Sequence, residues 1–113
     1  MSECLFCQIV DGTIPADIVA RNERAIAFRD IDPKAPTHVL VIPTEHHRDL
    51  TSLAAADSSQ VADFLALAVE VAELEKLGSG YRVVFNTGVD AGQSVFHVHA
   101  HVMGGRRLTW PPG

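Results

Sequence analysis

The segment Val95-Phe96-His97-Val98-His99-Ala100-His101-Val102-Met103 limits what this chain can fold into more than any other stretch. Imidazole alternates with an apolar side chain at each step, and only an extended strand sends successive side chains to opposite faces. His97, His99 and His101 are therefore expected on one face, with Phe96, Val98, Ala100 and Val102 in the core on the other. A slip of one residue would bury the imidazoles, so the register is fixed. Histidines two apart stand with Cα atoms roughly 6.5 Å apart, from a rise of about 3.3 Å per residue. One phosphate-sized anion can then touch adjacent rings. The central ring, His99, is the natural nucleophile, because neutral imidazole is competent near pH 7 once a hydrogen bond at its other nitrogen fixes the tautomer. His101 is close enough to hold an oxygen or handle a proton. The plainer alternative is an edge strand that shows its histidines to solvent. Strict alternation directly after Gly88, Gly92, Gln93 and Ser94 argues against it: glycines let backbone approach a phosphate, and Ser94 offers a hydroxyl.

The remaining patterns supply a scaffold. Ile18 to Arg21 and Arg24 to Phe28 read as a hairpin about Asn22-Glu23, since Asn tolerates positive φ. Asp30 to Pro36 reads as an irregular loop, and His38 to Ile42 as a strand ended by Pro43. From Asp57 to about Leu77 the period becomes helical, with Asp57 as N-cap, Gln60 in the capping-box position and Gly78 as the C-terminal stop. Val61, Phe64, Leu65, Ala68 and Ala72 form its expected core stripe. Tyr81 to Asn86 reads as a strand, Thr87 to Ser94 as a loop, and Val95 to Met103 as the last strand. The sum is an α+β arrangement, a mostly antiparallel sheet with one long helix across it.

A chain of 113 residues suits one domain, residues 1–113, with 47% hydrophobic and 20% charged residues. The net charge of −5 argues against a nucleic-acid polymer as partner, while a local pocket can still bind a small anion. No apolar run approaches a membrane span and the first residues lack a secretory signal, so the expectation is a cytoplasmic protein with no membrane partner. Cys4 and Cys7 form a C-x-x-C pair, which in a reducing compartment reads as metal or redox before structural disulfide. A pair of small buried thiols is the other reading.

The run Gln93-Ser94-Val95-Phe96-His97-Val98-His99-Ala100-His101-Val102 resembles the signature of the histidine triad (HIT) superfamily, and specifically its Hint branch of nucleoside phosphoramidases. Ile14-Pro15-Ala16, Ala27 to Ile31, Ala35-Pro36-Thr37-His38, Val41-Ile42-Pro43, Gly80-Tyr81-Arg82 and Trp110-Pro111-Pro112-Gly113 resemble Hint sequence in the same order. The resemblance implies hydrolysis of purine nucleoside phosphoramidates, of AMP-lysine or aminoacyl-adenylate type. His99 would attack the α-phosphorus, and His101 and Ser94 would contact the phosphate region. Asp30 would accept from the ribose hydroxyls, Asn86 would bind near the ribose and phosphate, and Gln93 would be among the substrate-binding residues. Phe6, Ile14, Phe28 and Ile31 would line the base pocket, although core packing explains Phe6, Ile14 and Ile31 as well. The implied fold is a five-stranded antiparallel sheet with one long helix, doubled to ten strands in a homodimer in which the C-terminal segment approaches the partner's active site and Trp110 would shape leaving-group preference. A loose, proline-stiffened tail is the competing view of Trp110.

Cys4 and Cys7 resemble a bacterial subset in which a cysteine pair and two histidines, here His46 and His97, bind a structural zinc. No organic cofactor is implied. On this reading His47 is a surface residue and His38 supports the site from its strand. Two rival functions share the same residues. One is nucleotidyl transfer to an acceptor other than water, and the other is a zinc-stabilised nucleotide-binding adaptor with incidental catalysis.

Overall fold

In the computed structural model, which describes residues 3–113, the first hairpin closes on Asn22. Its side-chain oxygen accepts from the N–H groups of Arg24 (3.0 Å) and Ala25 (2.9 Å). Among the described residues Lys76 is the only non-glycine with positive φ, so Asn22 turns the chain through its side chain and not through a left-handed backbone. The hairpin joins β1 (Ile18–Arg21) to β2 (Ala25–Arg29), and with β3 (Thr37–Pro43), β4 (Tyr81–Phe85) and β5 (Ala100–Gly104) completes a five-stranded antiparallel sheet in the order β1-β2-β3-β5-β4.

Register assigns the two faces. Leu40 lies opposite Phe28 on one side and His101 on the other, and His101 in turn lies opposite Val84. Ile26, Phe28, His38, Leu40, Ile42, Arg82, Val84, His101 and Met103 therefore share one face, and Ala25, Ala27, Val39, Val41, Ala100 and Val102 share the other. The second face carries the main core, packed under α3 (Ser58–Leu74) and capped by Leu53 of α2 (Leu50–Ala56). On the first face a smaller core of Ile26, Phe28, Leu40 and Ile42 is closed by Phe6 of α1 (Leu5–Val10). Among the described residues no helix covers the β5–β4 part of that face, which leaves it open for a site. No helix among the described residues is long and apolar enough to cross a membrane.

The one long helix is α3, and α1 and α2 are short additions. Asp57 caps α3 by accepting from the Ser59 N–H at 2.8 Å. Gln60 does not close a capping box; its amide donates to Glu45 (2.9 Å) and accepts from His47 (3.0 Å), tying α3 to the loop after β3. His47 is accordingly half-buried and bonded, where a plain surface residue was expected. The core stripe is Phe64, Leu67, Ala68, Val71 and Ala72, whereas Leu65 is exposed. The helix stops before Gly78 in a Schellman motif: Leu77 N–H reaches Ala72 O (2.9 Å), Lys76 N–H reaches Glu73 O (3.1 Å), and Lys76 takes φ 60°. Burial of Leu77 under the sheet imposes this earlier stop.

The last strand is shorter than the alternation suggests, because its ladder starts at Ala100 and not at Val95. Continuing the β3–β5 register would set Val98 opposite Pro43, which has no N–H to offer. Val98 N–H instead donates to His47 O at 2.8 Å. Val98, Ala100 and Val102 are in the core as expected, but Phe96 is 39% exposed with the Arg48 guanidinium 4.3 Å over its ring.

Candidate active site

Between α1, β2, the loop after β2 and the start of β5 lies a cavity of about 660 Å³. Phe6, Ile14, Phe28 and Ile31 give it apolar walls, and Asp30, Ser94, His99 and His101 give it a polar end. Phe6 is wedged edge-on between Phe28 (5.6 Å between centroids) and His99 (5.2 Å), so the wall of the cavity and the imidazole support each other. Ile31 is fully exposed at the rim, while Phe6 and Phe28 are buried.

Hydrogen bonds assign the tautomers. His99 Nδ1 lies 2.9 Å from the carbonyl oxygen of His97. A carbonyl only accepts, so Nδ1 carries the proton and Nε2 keeps its lone pair. On the neighbouring strand, Lys34 N–H donates to His38 Nδ1 at 3.0 Å, which leaves the His38 proton on Nε2. That N–H donates to His101 Nδ1 at 2.8 Å, with Asp30 Oδ2 3.4 Å from the same nitrogen. His101 therefore carries its own proton on Nε2. Burial, followed by the adjacent His99 and His38 rings, lowers its pKa to about 4 against the pull of Asp30. At neutral pH His101 is an uncharged N–H donor beside the His99 lone pair, their ring centroids 5.1 Å apart.

A second cluster lies behind α1. Ligand atoms of Cys4, Cys7, His46 and His97 all fall within 4.8 Å of one another. His97, fully buried, donates from Nε2 to Pro43 O at 2.9 Å, which turns the Nδ1 lone pair towards the other three. Its pKa is lowered to about 4 by burial, opposed by the Pro43 bond and reinforced by the nearby rings of His46, His99 and His47. Tetrahedral zinc, with bonds of about 2.3 Å to sulfur and 2.0–2.1 Å to nitrogen, sets its ligands about 3.3 Å apart N to N and about 3.6 Å apart N to S. Here Nδ1 of His46 and Nδ1 of His97 are 3.2 Å apart, and the N···S distances are 3.3, 3.4 and 3.5 Å. These four distances match the spacing around such an ion, and all the ligand atoms lie within 4.8 Å of one another. Asp30, His38 and His101 also converge, but the facing nitrogens of the two rings already share a proton.

Of the other residues singled out from sequence, Asn86 faces an adjoining cavity of about 390 Å³ that shares His101 with the first. Gln93 turns away from both: its amide accepts from Gly88 N–H (3.0 Å) and donates to Arg48 O (2.9 Å) and Val95 O (3.1 Å), holding the loop that presents Ser94. Trp110 is 81% exposed and lines neither cavity, although Pro111 and Pro112 line the second. The proton link from His38 to His101 and the cations Arg82 and Arg106 in the second cavity were not anticipated. Alternation of Arg82, Val84 and Asn86 on one strand was the available signal.

Comparison with known proteins gives a consistent picture. The HIT domain model matches residues 11–108. A HIT-like protein of Synechococcus elongatus is 44% identical over all of both chains. A protein of Zea mays described as a 14 kDa zinc-binding protein is 44% identical over 99% of this chain and 89% of its own. Among solved structures, a HIT family hydrolase from Legionella pneumophila superposes with a TM-score of 0.94 at 46% identity, covering 98% of this chain and all of the other.

Proposed function

Since this chain belongs to the HIT domain family, we propose that it hydrolyses purine nucleoside 5′-phosphoramidates to release AMP through a nucleotidyl-His99 intermediate. The observation that carries the reading is the His99 tautomer: Nδ1–H is held by the His97 carbonyl, and the Nε2 lone pair is left for phosphorus. The base enters the cavity against the apolar wall of Phe6, Ile14, Phe28 and Ile31, and Asp30 accepts from the ribose. His99 Nε2 then attacks the α-phosphorus while the P–N electron pair departs with the amine, which takes a proton from solvent through the Ser94 hydroxyl. His101 Nε2–H donates to a phosphoryl oxygen, its orientation held by His38. Water next attacks phosphorus, His99 leaves with its lone pair restored, and one proton returns to solvent.

Cys4, Cys7, His46 and His97 are the residues that would hold zinc. Four protein ligands close the coordination shell, so the ion supplies structure, tying α1 and His97 to the sheet. A homodimer with a ten-stranded sheet is part of the same reading. It is supported by the open edge of β4, where Tyr81 and Val83 are exposed and Tyr81 shares a hollow with the exposed Val69 of α3.

Incubation with adenosine 5′-phosphoramidate tests the proposal. Wild type should release AMP, and His99→Gly should lose turnover while still binding AMP. Undiminished turnover in that variant would overturn the assignment.

A further inference from the structure

The second cavity, beyond His101, has a charge that the reaction above does not use. Its wall includes Lys34, Arg82 and Arg106 and contains no carboxylate. Lys34 is paired with Asp32 at 2.6 Å, and Arg24 and Arg29 also have acidic partners. No carboxylate among the described residues comes within 4 Å of Arg82 or Arg106. Both guanidinium groups are instead held by backbone oxygens: Arg82 donates to Thr109 O (2.9 Å), and Arg106 donates to Arg107 O (2.9 Å) and Lys34 O (3.2 Å). Carbonyls position a guanidinium without cancelling its charge, and each group keeps N–H donors in reserve. Lys76 and Arg107 line a further hollow behind the same two arginines. Five of the nine lysines and arginines thus gather at one end of a chain whose net charge is −5. A cleft lined by one sign of charge concentrates ions of the other sign.

His101 borders both cavities. Because the two cavities meet at His101, a group attached to a phosphorus at His99 lies within reach of the second cavity. We propose that the cavity lined by Arg82 and Arg106 receives an anionic group, phosphate or carboxylate, carried on the leaving side of the α-phosphorus. This rests on the nucleotide-hydrolase reading of the adjoining cavity and names the class of leaving group it accepts. A leaving group with a free carboxylate or phosphate is drawn in, and one ending in an ammonium group is repelled.

Calorimetry with AMP and ADP tests the subsite on the intact protein, because the β-phosphate of ADP is an anion on the leaving side. ADP should bind on the order of tenfold more tightly than AMP at low salt, and the excess should shrink as salt rises. Arg82→Met or Arg106→Met should abolish the excess, and Arg82→Lys, which keeps the charge, should retain most of it. A carboxylate arm compares kcat/KM for AMP joined through nitrogen to alanine with kcat/KM for the alaninamide analogue. Preference for the carboxylate there identifies a carboxylate ligand, and an ADP excess alone identifies phosphate. AMP binding with neither preference, or an excess that survives both methionine variants, overturns the subsite alone. Failure of both nucleotides to bind removes the nucleotide reading and the subsite with it.

Discussion

If zinc is held by Cys4, Cys7, His46 and His97 as proposed, its removal should release α1 while the sheet stays folded. The helix has six residues, far below the length at which an isolated helix is stable in water. Burying Phe6 against Ile26, Phe28 and Leu40 contributes about 3 kcal/mol at most. Ordering the residues around it costs roughly 1–2 kcal/mol each. The balance must come from elsewhere, and the Cys4–Cys7–His46–His97 cluster is the other anchor. Opening α1 takes away two of the four ligands, so zinc favours the closed form by its differential binding. At free zinc one hundred times the dissociation constant this amounts to about 2.7 kcal/mol, or a hundredfold in the opening equilibrium. Amide exchange reads it directly, since Gln8 N–H bonds to Cys4 O and Asp11 N–H to Cys7 O. Chelation should speed exchange of those two amides by about a hundredfold and leave the β3 and β5 amides unchanged. His46→Ala, at an exposed position, should reproduce the effect without chelator. AMP affinity should fall as well, because Phe6 would leave His99. Unchanged protection of Gln8 and Asp11 in protein shown to have lost its zinc would refute the reasoning.

Other consequences can be checked separately. Lys76→Gly should stabilise the fold by about 0.5–1 kcal/mol in urea unfolding, because glycine takes the left-handed position without a Cβ penalty. Phe64→Ala should destabilise by about 3–5 kcal/mol, as it empties the centre of the main core. The His101 ring should titrate near pH 4 by NMR. Because that value lies below the ordinary 6.5, its contribution to stability is complete above pH 6.5 and is lost as the pH falls towards 4. The loss is roughly 1 kcal/mol once solvent screening at a half-buried ring is allowed for, and His101→Gln should remove that slope.

The alternation of the last strand was legible because a period of two admits one conformation, and the buried set of Val98, Ala100 and Val102 follows from it. It overreached at Phe96 because Pro43 interrupts the partner strand, a fact of pairing and not of the segment itself. The start of α3 was legible from its cap and its period, but its end, at Leu74, was not, since Leu77 is buried after the helix has stopped. The six residues of α1 carry too few turns for any periodicity, and their place depends on Phe6 and the cluster. The same limit applied most strongly to the site. His38 and His101 are 63 residues apart and share a proton only because β3 and β5 pair in a register that no local pattern encodes. Lys34, Arg82 and Arg106 carry no local pattern that groups them. They come from a loop, an edge strand and the tail after β5, and the sheet order β3-β5-β4 is what sets them around one cavity. Charge summed along the chain argued only against a polyanion and left a small anion open, while charge placed by the sheet points towards one.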